Sequence, residues 1–173
     1  MDKLNSNKNQ KGQLLIEAMV AVSLMLVGLL GIFGVLSRSL GLSRVAADQF
    51  VAVNLASEGI EIAKNILDSN YRAGNAWNQG FANGNNYHVG YQSETLNDQG
   101  CEEELYLNSQ GYYDCRAIPG LAVKFKRVLE VENISPNQLN VRSRVNWTGR
   151  GGIRLEVEVE DHFYSWRYPA DQS

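Results

Sequence analysis

An unbroken apolar run near the start of the chain limits the possible folds more than any other feature. From Ala18 to Leu36, AMVAVSLMLVGLLGIFGVL, nineteen residues carry no charge and only Ser23 is polar. As a helix they rise about 28 Å, close to the ~30 Å of a bilayer's hydrocarbon core. That length predicts a transmembrane helix. The twelve residues ahead of it, MDKLNSNKNQKG, carry Lys3, Lys8 and Lys11 against Asp2. A basic flank of this kind holds its side of a span in the cytoplasm, so the residues after Leu36 are expected outside. A secretory signal has a shorter apolar region, about 7–15 residues, ending at a small-residue cleavage site. Gly34-Val35-Leu36-Ser37-Arg38-Ser39 offers no such site.

Length and charge narrow the field further. A chain of 173 residues holds one modest core rather than the several domains of a large enzyme. Its 16 Lys and Arg stand against 19 Asp and Glu, for a net charge of -3. Phosphate-backbone binding usually requires a basic excess, so no direct nucleic-acid partner is expected.

Glu17 is out of place in a plain anchor. It lies just inside the apolar run, in Gly12-Gln13-Leu14-Leu15-Ile16-Glu17-Ala18, where a carboxylate in hydrocarbon costs roughly 2–4 kcal/mol. Either the side chain snorkels to the headgroups, or it has a partner for its charge.

The stretch GQLLIEAMVAVSLMLVGLLG resembles the N-terminal signature of type IV pilins and the related pseudopilins. The shared features are a short basic leader ending in Gly, a cleavage site, Glu as the fifth mature residue and a long apolar helix. The resemblance implies that a prepilin peptidase cuts between Gly12 and Gln13 on the cytoplasmic side and methylates the new N-terminus at Gln13. It also implies that the apolar segment stays on the mature protein, and that the Glu17 carboxylate neutralises the N-terminal amine of a neighbouring subunit during assembly. Where the family usually has Phe or Met as the first mature residue, this chain has Gln13. The implied partners are other pilin subunits, the prepilin peptidase, the pilus assembly platform and, before assembly, the lipid bilayer. Gly28, Gly31 and Gly34 are candidates for the helix breaker found in this region of many pilins, or for close helix packing in a membrane. The match is specific over about the first 36 residues and looser beyond them.

The expected organisation is α+β, with a long N-terminal helix packed against a C-terminal antiparallel sheet. Residues 1–12 form the leader, 13–36 the transmembrane and filament-core helix, and 37–68 its amphipathic continuation. Residues 69–120 form a variable loop region with a disulfide, 121–168 the sheet and 169–173 a tail. In the amphipathic part Ala46, Phe50, Val53, Ala56, Ile60, Ala63 and Leu67 recur every three or four residues, which places them on one face. The Gly- and Asn-rich stretch from Tyr71 to Gly100 favours turns. Its Trp77, Phe81, Tyr87 and Tyr91 are expected to pin the loop to the core, sugar or base stacking being the alternative.

Further on, strict alternation marks strands. Leu139, Val141, Val145 and Trp147 share one face; Ile153, Leu155, Val157, Val159 and Phe163 alternate with Arg154, Glu156, Glu158 and Glu160. Closing the hairpin symmetrically at Thr148–Gly152 sets Arg144 opposite Glu156 and Arg142 opposite Glu158. Val123, Phe125, Leu129 and Val131 predict a third strand that turns back through Asn133–Asn137.

Cys101 and Cys115 are the only cysteines. On the outer side of a membrane a disulfide is expected over two free thiols. It would close a loop of about 15 residues, for a stabilisation of about 3 kcal/mol in the chain-entropy treatment. Two cysteines without clustered histidines do not make a tetrahedral metal set. Cys101-Glu102-Glu103-Glu104 lacks the alternation of a calcium loop and is expected to be a solvated acidic turn. His88 and His162 stand apart from any Ser or Cys with a nucleophile signature. No catalytic residues, cofactor or metal are therefore expected. The functional expectation is a minor pilin: a single-pass inner-membrane protein drawn into an extracytoplasmic filament. A pseudopilin of a type II secretion or competence system is the nearest alternative, and a membrane-anchored extracellular binding domain is the alternative of another class.

Overall fold

No proline interrupts the first seventy residues, and the backbone forms one helix, α1, over Lys3–Arg72. The structure, a computed structural model, describes residues 3–117 and 122–166, with side chains for 12–117 and 123–166. The expected tail, 169–173, and the expected boundary between 120 and 121 lie outside the described residues. The helix ends where glycine permits a left-handed turn. Gly74 has φ +70°, and the amides of Ala73 and Asn75 donate to the carbonyls of Ser69 and Asn70 at 3.0 Å each. Arg72 lies in the last turn and donates from Nε to the Asp68 carbonyl at 3.3 Å, placing a cation at the negative end of the helix dipole.

The chain divides into two units, Met1–Ala46 and Ala47–Ser173. In the first, the large apolar side chains of α1 from Leu14 to Leu42 are all exposed. The helix runs unbroken through Gly28, Gly31 and Gly34.

In the second unit the C-terminal part of α1 packs against an antiparallel sheet. Its strands are β1 (Asn86–Tyr87), β2 (Cys101–Leu107), β3 (Tyr113–Arg116), β4 (Ala122–Ser135), β5 (Gln138–Thr148) and β6 (Arg154–Tyr164). The order is β3-β2-β4-β5-β6, with β1 also paired to β4. All pairings are antiparallel, so short turns suffice between β2 and β3 and along β4–β5–β6. The alternation expected in β5 holds, with Leu139, Val141, Val145 and Trp147 all buried. The packed arrangement is α+β, as expected.

Several local expectations are corrected. On α1 the buried positions are Ala52, Leu55, Ala56, Gly59, Ile60, Ile62, Ala63, Ile66 and Leu67. Ala56, Ile60, Ala63 and Leu67 lie where the periodicity placed them, but Phe50 is 69% exposed, and Ala46 and Val53 are exposed as well. The true stripe follows the small residues. A Cβ on Gly59 would collide with the Ser143 side chain, so the sheet comes closest there and pulls the contact face toward Ala52 and Leu55.

The β5–β6 register is two residues further along β6 than symmetric closure gave. Arg144 faces Glu158 and Arg142 faces Glu160. The reason is the turn: Thr148 still pairs with Arg154, and the loop is Gly149–Ile153, with Gly151 and Gly152 at φ +83° and +79°. Ile153 therefore leaves the strand and is 63% exposed. A shift of two preserves the side-chain faces, so the rest of the alternation survives.

Within 69–117, where a variable loop was expected, the chain forms β1 and the β2–β3 hairpin. Phe81 and Tyr87 are buried and Trp77 packs on the core, as expected of anchors. Tyr91 instead stacks on Tyr112, with ring centroids 5.1 Å apart.

Candidate functional site

The residues singled out near the N-terminus all lie on α1. Gly12, Gln13 and Glu17 are exposed, and Gln13 and Glu17 are four residues apart, hence on one helical face. Among the described residues this is the one helix long and apolar enough to cross a membrane. Glu17 is the single ionisable side chain between Gly12 and Leu36. Ser23, the remaining polar side chain of the run, donates its hydroxyl to the Met19 carbonyl at 2.7 Å, satisfying itself within the helix. Among the described residues nothing comparable holds Glu17, which leaves its carboxyl group for water, headgroups or a neighbour.

In the sheet unit the polar centre is Arg127, which the sequence reading missed. It lies on the inward parity of β4, between Phe125 and Leu129, and its side chain is fully buried. Its guanidinium donates to the Leu55 carbonyl at 3.0 Å, the Glu58 carboxylate at 3.2 Å and the Val89 carbonyl at 2.6 Å. Helix, strand and the segment after β1 are thereby tied at one point. Burial pushes the guanidinium pKa down, while Glu58 and then Asp114 push it back up. The signal was available: a cation on the apolar parity of an alternating strand points inward.

Cys101 and Cys115, the other predicted pair, are joined in a disulfide across the β2–β3 hairpin. It backs onto the Val89–Gly90 segment, where a Cβ on Gly90 would meet the Asp114 carboxylate and the Cys115 sulfur. Among the described residues the single grouping of three metal-ligating side chains is Asp98, Cys101 and Cys115. The disulfide takes both sulfurs, and Arg116 holds Asp98 at 2.9 and 3.0 Å. The acidic run is strand rather than turn. Glu103 and Glu104 pair with Lys126, and Glu102 accepts from the Tyr106 hydroxyl at 2.7 Å. The hydrogen bond and charge of Lys126 hold the Glu104 carboxyl below the usual carboxylate range, and those glutamates raise Lys126 in return.

The solvent face of β4–β6 is a ladder of alternating charge. Arg144 reaches Glu130 at 2.6 Å and Glu158 at 2.9 Å, and Arg142 reaches Glu132 at 3.1 Å. Arg144 is pushed above its ordinary value, first by its hydrogen bond to Glu158. His88 lies beside the Arg127 carbonyl at 3.5 Å, and His162 contacts Glu160 at 3.2 Å. Comparison of the chain with protein-family models, curated proteins and solved structures returned no match.

Proposed function

We propose that the chain is a structural subunit, a minor pilin, of a type IV pilus or pilus-like filament, made as a precursor anchored in the inner membrane. The observation that carries this reading is Glu17. It is one carboxylate at the start of an otherwise uncharged span, five residues past a basic leader ending in Gly12, on a helix whose outer part is packed against an antiparallel sheet. A tether gains nothing from that charge, whereas a helix packing among copies of itself gains a registration point, because a charge in hydrocarbon is relieved by an opposite charge on a neighbour. In this reading the leader is cut after Gly12, Gln13 becomes the methylated N-terminus, and its amine is the partner of Glu17 in the adjacent subunit. The sheet unit lies outside the cytoplasm, where its disulfide persists. The chain then acts by packing and by presenting surface rather than by catalysis. The pseudopilin alternative differs in where the filament stops, not in this chemistry.

The test is the N-terminal peptide of the protein from its native membrane fraction, read by mass spectrometry. The expected result is a methylated Gln13. An intact Met1 in cells with an active prepilin peptidase would overturn the reading and leave a membrane-tethered binding domain.

A further inference from the structure

β6 is the last strand of the sheet, so one of its two backbone edges faces away from β5. It pairs with β5 along all 11 of its residues, from Arg154 opposite Thr148 to Tyr164 opposite Gln138, with no register shift. The phase of that ladder is set at the turn, where Gly149 donates to the Ile153 carbonyl at 2.8 Å. Bonded residues alternate along an antiparallel strand. Leu155, Val157 and Val159 therefore bond to β5, while the N–H and C=O groups of Glu156, Glu158 and Glu160 point outward. Among the described residues no backbone of another element reaches them. Proteins usually blunt such an edge with brevity, bulges, prolines or lysines. The opposite edge, β3, has 4 residues and a register shift in its pairing with β2. β6, RLEVEVEDHFY, is long and unbulged and carries neither Pro nor Lys.

Each face of the strand offers something to a neighbour. On the core side Leu155, Val157, Val159 and Phe163 are only half-buried, whereas the β5 residues opposite them, Trp147, Val145, Ser143 and Leu139, are buried. Apolar surface is thus left for a further strand to take from water. On the solvent side Glu156, Glu158 and Glu160 stand in a row between Arg154 and His162. Arg142 and Arg144 serve Glu130, Glu132, Glu156 and Glu158, and Glu160 lies with Asn140 and His162. Carboxylates outnumber guanidinium groups on this face, and the excess lies toward the outer edge. A carboxylate has lone pairs for several donors, so each can accept a further one alongside its present contacts.

These features select the occupant. A second copy adding its own β6, with core and solvent faces kept, would lay one glutamate row beside the other, and like charges directly opposite destabilise a strand pair. The chain's own last residues, RYPADQS, hold a proline and no basic-apolar alternation. A strand in which Arg or Lys alternates with Val or Ile meets the carboxylates on one face and covers the half-buried apolar row on the other. β5 already does this on the inner edge, with Arg144 opposite Glu158 and Val145 opposite Val157.

We propose that the outer edge of β6 accepts, as an added strand, an extended segment of another protein in which basic and apolar residues alternate. The basic residues lie opposite Glu156, Glu158 and Glu160. The proposal concerns the sheet unit alone and stands whether or not the leader is cleaved at Gly12.

The test uses the full chain in phosphatidylcholine nanodiscs, whose lipid carries no net charge to attract a basic peptide. The probe is the labelled peptide acetyl-Thr-Arg-Val-Arg-Val-Arg-Val-Thr amide, titrated to about 1 mM by fluorescence anisotropy. Hydrogen exchange is read alongside by mass spectrometry, resolved to single residues. In the protein alone the amides of Glu156, Glu158 and Glu160 should exchange quickly, and saturating peptide should slow them about tenfold or more. Replacing the peptide's arginines by glutamates should weaken binding at least about tenfold, and so should methylating their backbone nitrogens, which removes the donors that face β6. Glu156→Gln, Glu158→Gln and Glu160→Gln together should weaken it about tenfold, while Tyr112→Ala, elsewhere on the surface, should leave it unchanged. The glutamines keep the shape of exposed side chains, so the fold is not threatened. Absence of binding would overturn the proposal, as would binding indifferent to the triple variant. Equal binding of the methylated peptide would overturn it by showing a contact of charge alone. Slow exchange of the three amides without peptide would also overturn it, because a second copy or the chain's own end would then hold the edge.

Discussion

A guanidinium withdrawn from water keeps its charge only where protein groups replace the solvent it has lost. Arg127 has two carbonyls and one carboxylate for this purpose, and they come from three separate segments. Removing it leaves the Leu55 and Val89 carbonyls and the part-buried Glu58 without their donor. Arg127→Ala is expected to destabilise the sheet unit by about 3 kcal/mol. Arg127→Met, which keeps the volume and lets Glu58 turn toward solvent, is expected to cost less; urea unfolding of the full chain followed by tryptophan fluorescence compares the two. On the surface, the Lys126–Glu104 pair gives a pH signature. A carboxyl whose folded pKa is depressed stabilises the fold above its unfolded value, about 4.3, and loses that contribution as pH falls through the folded value. Lys126, which is raised, contributes below its unfolded value and loses that contribution as pH rises through the folded one. Lys126→Met should therefore return the Glu104 titration, followed by side-chain NMR, upward to the ordinary range. Because both groups are exposed, the unfolding midpoint near neutral pH should barely move.

The elements differ in how openly they are written in the sequence. The helix and the β4–β6 meander follow simple periods, 3.6 and 2, and both were legible for that reason. What periodicity left undetermined was phase. The helix stripe was displaced at Ala46, Phe50 and Val53 because contact is set by the small residues that admit the sheet, Gly59 above all, and hydrophobicity does not report closeness. The β5–β6 register slipped by two because the positive φ of Gly151 and Gly152 decides which residues form the turn, and a run of Thr, Gly and Arg does not specify it. The β2–β3 hairpin was illegible. In CEEELYL only Leu105 is buried, and charged residues fill both parities, as suits strands near a sheet edge. Of the candidate site, Cys101 and Cys115 were legible as a pair, whereas Arg127 was hidden by the habit of reading every arginine as exposed. The hairpin depends on its cross-link more than the meander does. Reduction of Cys101–Cys115 is expected to remove up to about 3 kcal/mol from this region. Hydrogen exchange should quicken across residues 88–116 while β5 and β6 keep their protection.

At the scale of the molecule, the two units make different demands on their surroundings. The sheet unit has its own core in two clusters. One runs from Ile60 to Leu67 against Leu129, Val131, Leu139 and Val141, and the other gathers Ala52, Leu55 and Ala56 with Phe125, Val145 and Trp147. A fragment beginning at Ala47 should therefore fold alone with its disulfide formed, giving a cooperative thermal transition by circular dichroism and no need of detergent, whereas the full chain should partition into membranes. Within the proposed filament reading, Glu17→Leu should leave cleavage after Gly12 intact and abolish recovery of the protein in sheared filaments.

The contact at Gly59 has a mechanical side. Ser143 fills the notch that the missing side chain leaves, and the neighbours of Gly59 on the same face, Leu55, Ala56, Ile62 and Ala63, are larger. A slide of about 4.5–6 Å, which would bring the next same-face residue opposite the serine, would drive it against a methyl or a branched chain. The helix is thus keyed to the sheet like a shaft in its hub, with Arg127 as the crosspin. A pull on the apolar end would reach the sheet as shear on an interlocked joint rather than as slip along a greased one.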